Sequence, residues 1–105
     1  MNSHDKAVLE RLAARLRVQF PPVRVFGFGS RVRGSADVHS DLDVCVVVPE
    51  VTPAVRRKIS HAAWEVGLEA DVLVSTVVFA ADDFDRGPSS ASPLVDTIRQ
   101  EGVAA

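Results

Sequence analysis

The sequence contains no tyrosine, one cysteine and one tryptophan. A lone cysteine rules out an internal disulfide and a cysteine-based zinc site, and it fits a reducing cytoplasm. Without tyrosine, no chemistry on a phenolic hydroxyl can take place on the chain itself. No apolar run of about 18 residues occurs, so no membrane-spanning helix is expected. Met1-Asn2-Ser3-His4-Asp5-Lys6 lacks the apolar core of a signal peptide. A basic excess is missing too. The net charge is -2 and the pI is about 5.8, which speaks against a broad nucleic-acid surface. There is no Gly-x-x-x-x-Gly-Lys phosphate loop, and Gly27-x-Gly29 is followed by Val32 where a dinucleotide fingerprint needs a small residue. His4, His39 and His61 are scattered without metal-ligand spacing. Internal repeats and low-complexity stretches are absent.

Apolar residues make up 47% of 105 residues, which is enough to build a core in a chain the length of one domain. Residues 1–105 read as a single domain, with 88–105 as a loosely attached segment. Val8, Leu9, Leu12, Ala13 and Leu16 form one stripe of a helix from Asp5 to Gln19, capped by Asp5 or Ser3. Pro21-Pro22 stops that helix and launches a strand from Val23 to Phe28. Gly29-Ser30 turns into a short helix to Arg33, Gly34 to Ser40 is a polar loop, and Asp41 to Val48 is a second strand. Thr52-Pro53 opens a helix that Gly67 is expected to stop near Val66. Leu68 to Ser75 reads as a third strand. Val77 to Phe84 is ambiguous, apolar and then acidic, and fits either core or a partner-facing surface. Arg86 to Ser92 reads as a flexible connector before a last helix from Pro93 to Gln100.

The chemistry gathers in Val25 to Val48. Asp41 and Asp43 are two residues apart, so on a strand both point to one face, with Cys45 and Val47 continuing that face and Val44, Val46 and Val48 opposite. Two carboxylates on an apolar strand repel each other and resist burial, and a bound cation relieves both costs. An all-oxygen donor set suits Mg²⁺. Gly29-Ser30 ends a strand and opens a helix, where free backbone N–H groups attract phosphate. Arg31 and Arg33 are placed either to reach phosphate oxygens or to form a solvated face. Ser40 either orients Asp41 or merely turns the chain. Gly29-Ser30 and Asp41 can share a site only if the first two strands are antiparallel. The helical crossover after the second strand makes the third parallel to it. A three-stranded mixed sheet backed by helices, of α+β or α/β class in the order α-β-α-β-α-β-α, would bring Asp71 beside Asp41 and Asp43. Cys45 and Trp64 read as packing residues, and His39 as a solvated loop residue.

Gly29-Ser30, ten residues, then Asp41-Leu42-Asp43 and an apolar strand resembles the signature of the DNA polymerase β-type nucleotidyltransferase superfamily. The likeness is closest to the minimal nucleotidyltransferase (MNT) family. It is carried by Val23 to Val48 and extended more loosely by Asp71 and by Ser92-Pro93-Leu94 with Glu101-Gly102-Val103. The resemblance implies that Asp41, Asp43 and Asp71 hold two Mg²⁺ ions roughly 4 Å apart and carry catalysis. It implies that Gly29, Ser30, Arg31, Arg33 and Ser40 contact a nucleoside triphosphate such as ATP. It also implies transfer of AMP to a hydroxyl. The chain leaves no room for the helical domain of larger members, so the resemblance implies a separate HEPN-type toxin partner that this chain would neutralise as an antitoxin. The alternatives are neutralisation by occlusion without catalysis, or transfer to a small molecule such as an aminoglycoside. Self-association is left open.

Overall fold

The computed structural model of the chain describes residues 1–34 and 40–105. His39 and most of the polar loop before Ser40 lie outside the described residues. Helix α1 (Ser3–Gln19) is followed by strand β1 (Arg24–Phe28), the one-turn helix α2 (Ser30–Arg33) and strand β2 (Leu42–Val48). Helix α3 (Pro53–Ala70), strand β3 (Val74–Ala80), helix α4 (Ala81–Arg86), a 3-10 turn (Pro88–Ala91), helix α5 (Pro93–Glu101) and strand β4 (Val103–Ala104) complete the order.

The sheet has four strands in the order β3-β2-β1-β4, one more than the sequence suggests. β1 and β2 are antiparallel with Phe28 opposite Asp43, and β2 and β3 are parallel with Asp43 opposite Ser75. The added strand is only Val103–Ala104, antiparallel to β1 through Gly27 and Phe26. Two residues carry no periodicity, which hides such a strand from sequence reading.

Helices cover both faces. Leu42, Val44, Val46 and Val48 pack with Val8, Leu12 and Leu16 of α1 and Ile59, Ala63 and Val66 of α3. On the other face Phe28, Cys45 and Val47 pack with Phe84 of α4 and Val95 and Ile98 of α5. Each such aliphatic side chain contributes about 1.5–3 kcal/mol on burial. Segment 88–105 is therefore anchored, through the buried Val95 and Ile98 and through β4.

Several local expectations change. Asn2, not Ser3 or Asp5, caps α1, its side-chain oxygen accepting the Asp5 N–H at 2.8 Å. Gly67 does not end α3. It lies inside the helix because its missing side chain leaves room for the Val72 carbonyl, and Asp71 closes the helix in the left-handed region at φ 56°. β3 consequently starts at Val74 rather than Leu68. Val77, Phe79 and Phe84 belong to the second core: Phe84 is buried and its ring centroid lies 6.3 Å from that of Phe26 and 5.5 Å from that of Phe79. The expected connector is a 3-10 turn tied down by the Asp83 carboxylate, which accepts from the Ser89 N–H at 3.1 Å.

Candidate active site

Antiparallel pairing of β1 with β2 puts the end of one beside the start of the other. Gly29, at φ 82°, leaves β1 and caps α2, and its carbonyl accepts the Arg33 N–H at 3.1 Å. A side chain at position 29 would run into the Asp43 carboxylate. Glycine is thus needed twice, for its backbone conformation and for the space Asp43 occupies.

Asp43 lies on the face of β2 that Cys45 and Val47 continue, and Asp41, just before β2, is close enough for its charge to act on Asp43. Asp43 is half-buried, and its carboxyl is pushed above the ordinary carboxylate range. Desolvation is the main cause, the neighbouring Asp41 charge adds to it, and Arg33 opposes both. Arg33 also donates to Glu101 at 3.1 Å across an exposed ion pair, which ties α2 to α5.

Arg31 reaches across to α1 and to the residue before Asp41. Its Nε and Nη2 donate to the two carboxylate oxygens of Asp5 at 3.0 and 2.9 Å, and its Nη1 donates to the Ser40 carbonyl at 2.7 Å. The fork faces α1, 26 positions away in sequence, which no local pattern around Arg31 could reveal. Ser40 serves through its backbone oxygen, and Ser30 opens α2 beside Gly29.

Asp71 is not brought to Asp41 and Asp43 by the sheet. It caps α3, three residues before β3, beside a surface cleft of about 470 Å³ lined also by Trp64, Leu68 and Leu73. Among the described residues no three His, Cys, Asp or Glu side chains converge to hold a metal ion. The parallel register instead sets Ser75 opposite Asp43, with Val77 and Phe79 continuing its side of β3 into the same core as Cys45. Sequence reading missed Ser75 because it displaced β3; the run Val74 to Phe79, dense in β-branched residues, is the signal that locates it. Trp64, read as packing, is 59% exposed, and Leu68 and Leu73 beside it are exposed as well.

The Asp41–Asp43 pair offers hard oxygen donors, and its mutual repulsion is what a cation would neutralise, so the donor chemistry fits Mg²⁺ held by two carboxylates with water and phosphate oxygens. Cys45, next along that face, is fully buried, and desolvation pushes its thiol up to about 12. It is a packing group and no nucleophile.

A match to the nucleotidyltransferase domain family spans residues 9–101. A relative from Methanocaldococcus jannaschii, named as a protein adenylyltransferase, is 39% identical over 57 residues, which is 53% of this chain. The match spans 58% of that relative's length. In fold, the chain is similar to a crystal structure of a toxin-antitoxin with AMP-PNP, at 21% identity and a TM-score of 0.63 over 90% of this chain and 69% of the other. Two crystal structures of MntA-HpeT toxin-antitoxin mutants are similar as well. One has 21% identity and a TM-score of 0.61, covering 91% of this chain and 69% of the other. The second has 19% identity and a TM-score of 0.62, covering 99% of this chain and 72% of the other. Likeness at this level of identity speaks for the fold.

Proposed function

The chain belongs to the nucleotidyltransferase domain family, and from that premise we propose that it transfers AMP from ATP to a hydroxyl on a separate protein, a HEPN-type toxin, and so acts as its antitoxin. One observation carries this reading: Gly29, which opens the turn into α2, is packed directly on the Asp43 carboxylate at the adjoining ends of β1 and β2. The named relative and the toxin-antitoxin folds support it from outside the chain.

Asp41 and Asp43 would hold Mg²⁺, which when bound screens the triphosphate's charge and polarises the phosphoryl group. Ser30 offers a backbone N–H and a hydroxyl at the start of α2 to phosphate oxygens. Arg33, close enough to Asp43 to oppose the rise in its pKa, brings positive charge to the side from which pyrophosphate leaves. The acceptor oxygen attacks the α-phosphorus, the bond to pyrophosphate breaks, and the proton shed by the acceptor goes to a base among the carboxylates. Since residues 1–105 contain no tyrosine, any tyrosyl acceptor lies outside them.

The test is incubation with labelled ATP, Mg²⁺ and the product of the adjacent gene. Label appears on that partner with the wild-type chain. No transfer, or transfer undiminished in the Asp41→Asn/Asp43→Asn variant, sinks the reading. Among the described residues no three metal-ligating side chains gather, which keeps occlusion without catalysis as the second reading. It predicts that the same double variant neutralises the partner in full.

A further inference from the structure

We propose that Asp5 is a positioning residue of the site, gripping Arg31 from α1 and, through Arg31, fixing the backbone from which Asp41 and Asp43 project. The proposal rests on the reading of those two acids as the metal-holding pair.

Asp5 is 1% exposed and is the one buried charged residue among the described residues. It faces away from the solvated side of α1, and its carboxylate takes both arms of the Arg31 fork. Such a pair is a weak explanation for stability, because apolar side chains of similar volume in its place are commonly as stable or more so. Its place against the Arg31 side chain of α2 points to another role.

The third arm supplies it. Arg31 directly follows Ser30, and its Nη1 reaches the carbonyl of Ser40, the residue before Asp41. One guanidinium therefore binds α1, the helix that opens at the phosphate-facing turn, and the approach to β2. β2 is registered on its far side by the Leu42 N–H, which donates to the Leu73 carbonyl at 2.9 Å. Ser40 is held by Arg31 and Leu42 by β3, so Asp41 is suspended between two fixed points. A rigid guanidinium fork suits this triple duty, and a lysine, with a single nitrogen, cannot serve both Asp5 oxygens and Ser40.

Two variants test this. Asp5→Leu/Arg31→Met removes both charges and so avoids an unpaired buried ion, whereas Arg31→Lys keeps an ion pair with Asp5 but loses the span. Thermal melting, amide hydrogen exchange in the free protein, and binding of Mn²⁺ with ATP are read on each. We expect near-wild-type melting, exchange over residues 40–43 faster by about tenfold with α1 unchanged, and Mn²⁺–ATP affinity lower by about tenfold or more. Wild-type exchange over 40–43 in whichever variant folds overturns the proposal. If the wild-type chain fails to bind Mn²⁺–ATP, the functional reading falls, while the exchange result still decides whether Asp5 orders this backbone.

Discussion

Gly29 lies against Asp43 so closely that the glycine hydrogen and the carboxylate occupy what any other residue's Cβ would need. Gly29→Ala meets two obstacles at once, a strained φ of 82° and the carboxylate itself. We expect a loss of about 1–3 kcal/mol in stability and of nearly all transfer activity, measured by denaturant unfolding and by labelled-ATP transfer. An alanine variant with wild-type stability would contradict the geometry.

The raised Asp43 pKa carries a definite sign. A carboxyl that holds its proton more tightly in the folded chain than in the unfolded chain favours folding at low pH, and that contribution is lost as pH rises through the folded value. Asp43→Asn removes the cost. In metal-free buffer the variant should melt above the wild type at neutral pH, with the gap shrinking toward about pH 4. Its transfer rate should nonetheless fall at least about a hundredfold. Equal melting of the two proteins across this range would contradict the assignment.

Ser75 gives the converse experiment. An aspartate there would stand opposite Asp43 on the parallel strand and add a third negative charge to that face. Ser75→Asp should lower the melting temperature of the metal-free protein and raise its affinity for Mn²⁺ about tenfold or more. Isothermal titration of both proteins with Mn²⁺ checks this, and unchanged affinity would place Ser75 outside the site.

Cys45 should be silent toward thiol reagents. With its thiol buried and its pKa pushed up to about 12, the folded protein should show no reaction at pH 8 within an hour. Unfolding in guanidinium should expose one titratable thiol per chain. Rapid labelling under native conditions would refute the burial.

Phe84 is the anchor of the second core, with Phe26 and Phe79 against its ring and Arg24 and Arg99 over it at 5.4 and 4.9 Å. Phe84→Ala should cost about 3–5 kcal/mol, read from equilibrium unfolding. A loss under about 1 kcal/mol would assign the ring to the surface instead.

Alternation made the common face of Asp43, Cys45 and Val47 readable, and the crossover between β2 and β3 made the parallel pairing of those strands readable. Arg31 could not be read in the same way, because its partner is Asp5 and contacts between distant segments leave no periodic trace. Asp71 was drawn into a strand by taking Gly67 as a stop. In the fold that glycine accommodates the returning chain at Val72, and the left-handed residue that ends α3 is an aspartate. The ambiguity of Val77 to Phe84 had a simple origin. A strand passes straight into a helix there with no intervening loop, so the two periods abut and neither is long enough to declare itself.

From Val44 onward, every residue of β2 is buried, while Asp43 is only partly so. One strand is therefore divided lengthwise into a short, partly open tip that carries Asp43 and a long buried shaft. Protein engineers can exploit that division. Libraries restricted to residues 40, 41, 43 and 75 would explore new ligand chemistry while leaving untouched the valines that fill the cores on both sides of the sheet.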